Sequence, residues 1–154
     1  MSTRALTSPL GLISAAVVHA AGQGVDALWK AALHGRTGLR MNPLEWCDLP
    51  CWVGAVPDVE DSALGAHLGD WDCRNHRLVW LALQDIRFRN AVVSARDRYG
   101  GHRVAVIVGT STAGIRSTET AYPTRRARGR WPGDFNYRKT HSTDALCRFV
   151  AEQL

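Results

Sequence analysis

Three hydroxyl side chains follow one another between two glycines, at Thr110, Ser111 and Thr112. A serine in such a turn is the nucleophile of many hydrolases when the sequence reads Gly-x-Ser-x-Gly. The segment 109–113 has the first glycine and Ser111, but alanine stands at the last position. Asp134 and His141 follow in the order that these hydrolases use for their acid and base. The turn therefore offers one function, a serine hydrolase using Ser111.

Two other interpretations of the same turn remain open. A phosphate-binding P-loop requires lysine after its second glycine, but Gly114 is followed by Ile115 and Arg116. A hydroxyl-rich turn can also satisfy its own backbone groups without doing any chemistry. From residue types alone, a turn without chemical function has roughly the same weight as the hydrolase and P-loop interpretations together.

A pair of arginines is the second candidate site. Arg74 and Arg77 are three residues apart, so a helix places them on one face. We expect this helix over 72–99, capped by Asp72, with a continuous apolar stripe. Positive charge in the first turn opposes the helix dipole, at about 0.3–1 kcal/mol each if exposed. The arginines therefore serve an anionic partner, pair with distant carboxylates, or are simply solvated.

The overall charge is basic, with a formal net charge of +5. Four arginines crowd a predicted loop before Trp131: Arg125, Arg126, Arg128 and Arg130. No nucleic-acid recognition motif accompanies them, so the sequence predicts no nucleic-acid partner. An acidic protein partner accounts for the charge equally well.

Cysteine spacing gives no metal site. Among the four cysteines only Cys47 and Cys51 have a spacing typical of zinc ligands, and no second pair accompanies them. We therefore predict four free thiols, no metal and no cofactor. The apolar stretch before Ala20 is broken by serine, proline and glycine, which argues against a signal peptide and against a membrane span. The expected location is cytoplasmic.

Local patterns predict a single α/β domain over 1–154. The apolar run Val104–Val108 is typical of a strand buried in a parallel sheet, with a short helix opening near Ile115. A short edge strand is also expected at 52–56. A final helix is expected over 142–154, with Leu146, Phe149 and Val150 facing inward.

The helix predicted over 24–35 has the clearest apolar face. Five side chains share it at helical spacing: Val25, Leu28, Trp29, Ala32 and Leu33. Gly35 stands where a helix C-cap belongs. We expect this face to pack in the core.

Four segments, in chain order, resemble the amino-terminal half of a β-ketoacyl-acyl-carrier-protein synthase, in the branch used for polyene or secondary lipid assembly. They are LWKAALHGRTGL at 28–39, DCRNHRL at 72–78, VIVGTSTAGI with TETAY at 106–122, and THSTDAL at 140–146. The resemblance implies an incomplete thiolase-like fold, with its first strand over 10–18. It also implies decarboxylative condensation of acyl and malonyl thioesters by the complete enzyme.

The resemblance also assigns roles to residues. It implies that Arg74 and Arg77 dock an acidic acyl carrier protein, and that Thr110, Ser111 and Thr112 form a turn near the acyl pocket and dimer interface. The family's nucleophilic cysteine and two histidines lie in segments that this sequence lacks, so we expect no catalytic residue here. The chain is then a fragment that binds the carrier or a second ketosynthase chain. A non-catalytic carrier-binding partner is the remaining alternative.

Overall fold

The protein is described by a computed structural model over residues 10–42 and 48–154. The strands are β1 (Val18–His19), β2 (Gly22–Gln23), β3 (Arg40–Met41) and β4 (Trp52–Val53). The α-helices are α1 (Val25–Leu33), α2 (Arg74–Leu83), α3 (Ile86–Tyr99), α4 (Ile115–Arg128), α5 (Tyr137–Thr140) and α6 (Ala145–Gln153). Two 3-10 helices span Ala66–Trp71 and Gly101–Arg103. The chain thus combines helices with small sheets, which agrees with an α/β class at that coarse level.

The described sheets are two antiparallel ribbons of two strands each. β1 pairs with β2, and β3 pairs with β4. The predicted edge strand at 52–56 is confirmed only at its first two residues. The strand predicted over 10–18 is wrong for most of its length, because only Val18 pairs and Leu10, Leu12 and Ile13 are exposed.

The strand predicted at Val104–Val108 is also wrong. Residues 104–110 belong to no helix or strand. A strand needs a neighbouring backbone to pair with, and no strand of the described residues lies beside this segment. Val108 packs against the core, whereas the Ile107 side chain is 92% exposed. One side of the run therefore contacts the core and the other side is exposed to solvent.

The core lies between the first 3-10 helix, α2 and α6. It is built from Leu64, Leu68, Trp71, Ala145, Leu146 and Phe149. The His76 ring stacks on Phe149 with ring centres 4.7 Å apart and an interplanar angle of 8°. The predicted final helix and the inward side of Leu146 and Phe149 are confirmed, with Val150 partly buried against the same cluster.

The single helix predicted over 72–99 is in fact two helices. α2 ends at Leu83 and α3 begins at Ile86, with Asp85 between them. The Asp85 carboxylate accepts hydrogen bonds from the amides of Arg87 and Phe88, at 2.9 and 3.1 Å. This N-cap starts a new helix where the apolar stripe alone predicts continuation.

α1 forms as predicted but does not pack as predicted. Gly35 adopts a positive φ of 57°, and the amides of Gly35 and Arg36 bond the carbonyls of Ala32 and Ala31. This is a Schellman ending, so the predicted glycine stop is confirmed. On the helix itself only Ala31 is buried, and Trp29 and Leu33 are 63% and 62% exposed. The expectation of a core-packed face is therefore wrong.

The arginine-rich segment is helical rather than a loop. Arg125, Arg126 and Arg128 form the last turn of α4, which ends at Gly129 with a φ of 69°. Cations at a helix C-terminus interact favourably with its dipole. Three of the four arginines therefore stabilise the helix end, and their positive charge needs no binding partner to explain it.

Candidate functional site

A cleft opens between α2 and α4. We call it the arginine cleft; its volume is about 720 Å³. Its charged lining residues are Glu60, Asp72, Arg74, Arg77, Arg116 and Asp134. Arg74 and Arg77 come from the first turn of α2, and Arg116 comes from the first turn of α4. Two helices therefore bring three guanidinium groups to one concave surface.

Glu60 lies at the centre of these arginines. Its carboxylate oxygens lie 2.5 Å from Arg74 Nε and 3.2 Å from Arg116 Nη1. Its backbone carbonyl accepts a hydrogen bond of 2.9 Å from Arg77 Nη1. Burial raises the pKa of Glu60, but the hydrogen bond and charge of Arg74, with the charge of Arg116, outweigh it and hold the pKa below 4.5. Glu60 is therefore an ionised bridge between the two helices at neutral pH.

Arg77 has a fixed partner of its own. Its Nε and Nη2 donate to the two carboxylate oxygens of Asp72, at 2.5 and 2.6 Å. This two-pronged bond, which offsets the burial of the guanidinium, raises the pKa of Arg77. Of the interpretations open for the arginine pair, pairing with carboxylates is what the structure shows. Arg77 is held in place, whereas Arg74 and Arg116 share Glu60.

Both helices begin without a side-chain cap. The N-cap of α2 is Cys73 and that of α4 is Gly114, and neither first turn carries an acidic residue. The unbonded amides at a helix N-terminus favour anions. Arginines stand there instead, and the cleft between the two helix starts is lined by three guanidinium groups and by the carboxylates of Glu60, Asp72 and Asp134.

A second, smaller cleft lies on the other side of Arg74 and Arg116. We call it the turn cleft; its volume is about 380 Å³. Its lining includes Thr112, Asn75, Leu78 and Ile115 as well as the two arginines. The structure thus brings two predicted site residues, Thr112 and Arg74, to the same cleft, while Arg77 lines only the arginine cleft.

The hydroxyl turn is anchored at its end and exposed at its centre. Thr110, Ser111 and Thr112 are exposed, and Thr110 Oγ1 donates to the Thr112 carbonyl at 2.7 Å. Gly114 is buried with a φ of 49°, and a Cβ there would collide with the carbonyl oxygen of Thr140. Only glycine suits this position, so the turn is pinned against α5.

The hydrolase triad is not assembled in the described residues. Ser111 makes no hydrogen bond to a histidine or carboxylate. His141 instead bonds the hydroxyl of Thr118 through Nδ1, at 2.6 Å, and its ring packs on Tyr137. A general base must reach the proton that it removes. In this arrangement His141 stabilises the start of α4 rather than a nucleophile.

No family model, curated protein or solved structure matches this chain. Helices of the described residues are also too short or too polar to cross a membrane.

The described cysteines are free thiols without an activating partner. Cys51 is exposed, and Cys147 donates to the Val106 carbonyl at 3.3 Å. Cys73, at the arginine cleft, is buried, and burial raises its pKa, which disfavours the reactive thiolate. Cys47 lies outside the described residues. No group of three metal-binding side chains occurs within 10–42 and 48–154.

Two residues of the site escaped the sequence reasoning. Arg116 repeats the pattern of Arg74, a basic residue in the first turn of a helix, and the helix start predicted near Ile115 made this signal available in the sequence. The cap predicted at Asp72 is wrong, because the N-cap residue of α2 is Cys73. Glu60 carries no such signal, because it lies in a turn 14 residues before Arg74 and its role depends on tertiary contact.

Proposed function

We propose that this chain is the amino-terminal part of a cytoplasmic β-ketoacyl-acyl-carrier-protein synthase, related to the thiolase-like fold, and that it supplies the surface to which the carrier docks. The four ketosynthase-like segments, in their family order, support the assignment. Its partners are then an acidic acyl carrier protein and a second ketosynthase chain. Neither nucleic acid nor a membrane takes part.

The observation that carries the docking role is the position of Arg74. Its side chain is 37% exposed at the rim that separates the two clefts, next to the hydroxyl turn assigned to the acyl pocket. Arg116 stands beside it from a different helix. Rim charges of this kind steer an oppositely charged partner and act mainly on the association rate.

A titration of an acidic acyl carrier protein tests this role. Arg74→Glu should weaken binding at low salt, and the difference should shrink at high salt because surface charges are screened beyond about 8–10 Å. Arg77 is left unchanged, since it is the partner of Asp72. Arg126→Glu, which alters the far end of α4 by the same charge, serves as the matched control.

The result that contradicts docking is specific. If Arg74→Glu binds the carrier as tightly as wild type at low salt, or if Arg126→Glu weakens binding equally, the rim is not a docking surface. Circular dichroism of both variants establishes first that the fold is retained.

The condensing reaction needs residues that this chain does not offer. None of the described cysteines is an activated nucleophile, so incubation with acyl- and malonyl-carrier protein should yield no 3-oxoacyl product by mass spectrometry. In an enzyme completed by the missing segments, Thr112→Gly should change the chain-length profile. A 3-oxoacyl product from this chain alone overturns the first expectation, and an unchanged profile the second.

A non-catalytic carrier-binding partner is the second candidate function. Arg74 and Arg116 line both the arginine cleft and the turn cleft, and carrier binding needs only such a basic surface, without a nucleophile. The two candidates separate on reconstitution, because only the first predicts condensation when a second polypeptide supplies the nucleophilic cysteine.

A further inference from the structure

The Glu60 carboxylate occupies a place that an oxyanion from solution could take. It bridges Arg74 and Arg116, which approach from two different helices. The arginine spacing thus accommodates two oxygens of one anionic group. We propose that the arginine cleft binds a small phosphate monoester, and that Glu60 is the internal group that the phosphate displaces. This proposal does not depend on the ketosynthase assignment.

The electrostatics of the cleft favour such an anion. Residues of the first turns of α2 and α4, helices of 10 and 14 residues, line this cleft, and neither first turn carries an acidic residue. Backbone amides at helix N-termini bind phosphate groups well. Asp72 already compensates Arg77, so Arg74 and Arg116, which hold the Glu60 carboxylate, are the cations that a new anion would contact.

Displacement of Glu60 requires only a side-chain rotation. Its neighbour Val59 is buried, with 1% exposure, and anchors the backbone of the turn. The Glu60 side chain itself is 44% exposed, so its carboxylate can turn into solvent. Ion pairs that are this exposed contribute little to stability. A dianionic phosphate therefore replaces a monoanionic carboxylate at small cost.

The rest of the cleft suits an organic substituent. Ala121, Pro132 and Phe135 line its wall, and Ser117 and Thr120 of α4 place hydroxyls beside the arginines. The volume of about 720 Å³ is within the range of small-molecule sites. The apolar wall predicts that phenyl phosphate binds more tightly than inorganic phosphate.

The test is a titration of the whole chain with inorganic phosphate and with phenyl phosphate, followed by amide chemical shifts in NMR spectra. Glu60→Gln should tighten phosphate binding by about fivefold, because it weakens the internal competitor. Arg116→Gln and Arg74→Gln should weaken it by about tenfold, the loss of one charge-assisted hydrogen bond. Arg126→Gln is the matched control, since it removes the same charge from the distant end of α4.

Two outcomes overturn the proposal. One is an unchanged phosphate affinity in Glu60→Gln; the other is a loss in Arg126→Gln as large as that in Arg116→Gln, which indicates diffuse attraction. Vesicles of phosphatidylcholine with phosphatidic acid present the same group on a lipid. Binding to these vesicles without binding of phenyl phosphate contradicts a site for a small soluble ester. Carrier docking is scored separately by Arg74→Glu, so either proposal can fail alone.

Discussion

Helices α1 and α6 are both nine residues long and amphipathic, yet they end in opposite environments. α6 buries Leu146 and Phe149 in the core, and the exposure of Phe149 is 0%. α1 leaves Leu28, Trp29 and Leu33 exposed. The comparison teaches that a periodic apolar stripe determines that a helix forms, whereas other elements determine whether the stripe is covered.

The difference arises from what lies opposite each helix. α6 faces α2, α5 and the 3-10 helix Ala66–Trp71. The rings of Trp71, in the 3-10 helix, and of Trp80, in α2, approach Phe149 at 5.9 and 6.3 Å. α1 has β2 as its main neighbour in the described residues, and a two-stranded ribbon is too small to cover a helix face. Stability should therefore reside in the α6 half of the molecule.

The largest effect is expected from Phe149→Ala. Removing a fully buried phenyl ring leaves a cavity and typically costs about 3–5 kcal/mol. Since small domains have only about 5–15 kcal/mol of stability, urea denaturation should shift strongly or show a partly unfolded protein. Phe149→Leu, which keeps most of the volume, should lose less. Equal losses in both variants would contradict tight packing around α6.

A smaller effect is expected where the hydroxyl turn meets the packed half. Gly114→Ala introduces a Cβ against the Thr140 carbonyl at a positive φ, and should cost roughly 2 kcal/mol. Gly109→Ala, in the same turn, meets nothing within 4 Å and should change stability by less than about 0.5 kcal/mol. Thermal unfolding of the pair measures the difference. Similar unfolding midpoints for the two variants would show that the turn does not pack against the core at Gly114.

His76 gives the core a pH dependence. Burial lowers its pKa from 6.5, against the opposing effect of the Trp71 carbonyl, which accepts from Nδ1 at 2.7 Å. Above pH 6.5 the ring is neutral in both folded and unfolded chains, so this contribution to stability is complete. As pH falls from 6.5 toward the lower folded pKa, protonation favours the unfolded chain and stability falls, by at most about 1.4 kcal/mol per pH unit.

Urea denaturation between pH 7.5 and 5.5 measures this slope while carboxylates stay largely ionised. His76→Gln should flatten the slope, whereas His67→Gln, at an exposed position, should keep it. If the unfolding free energy of His76→Gln changes with pH as steeply as that of wild type, another group is responsible for the pH dependence.

The smallest effect is expected from Trp29→Ala on α1. The side chain is 63% exposed, and surface substitutions usually change stability by less than about 0.5 kcal/mol. The same denaturation experiment applies, with sedimentation at two concentrations to detect association. A loss comparable to that of Phe149→Ala would show that the α1 face is covered in solution, and would remove the contrast between the two helices.

Local features were predictable from the sequence. The spacing of apolar residues predicts the helices α1 and α6, and the glycine before Ile115 marks the start of α4. The end of α1 at Gly35 is predictable because glycine adopts a positive φ without strain. The break at Asp85 was also encoded, as an N-cap residue before Ile86, but the continuous apolar stripe concealed it. Such features involve residues within a few positions of one another, so no tertiary information is needed.

Features that depend on distant partners were not predictable. The run Val104–Val108 has the composition of a strand, but pairing requires a second strand, and the described residues offer none beside it. Arg74 and Arg77 were correctly placed together by their spacing, because both line the arginine cleft. Glu60 and Arg116 join them only through the fold, and the central carboxylate therefore had no local signature.

The segment at 104–110 bears on how the protein behaves in concentrated solution. The amides of residues 105–109 make no hydrogen bond within the described residues, and the β-branched side chains of Val106, Ile107 and Val108 favour an extended backbone. Two such segments from different molecules can satisfy each other. Association of two chains is second order in protein concentration, whereas folding is first order. Doubling the concentration therefore quadruples the rate of association and only doubles the rate of folding. The yield of refolded protein should accordingly rise on dilution. Because the Ile107 side chain is 92% exposed, Ile107→Lys should reduce association and raise that yield.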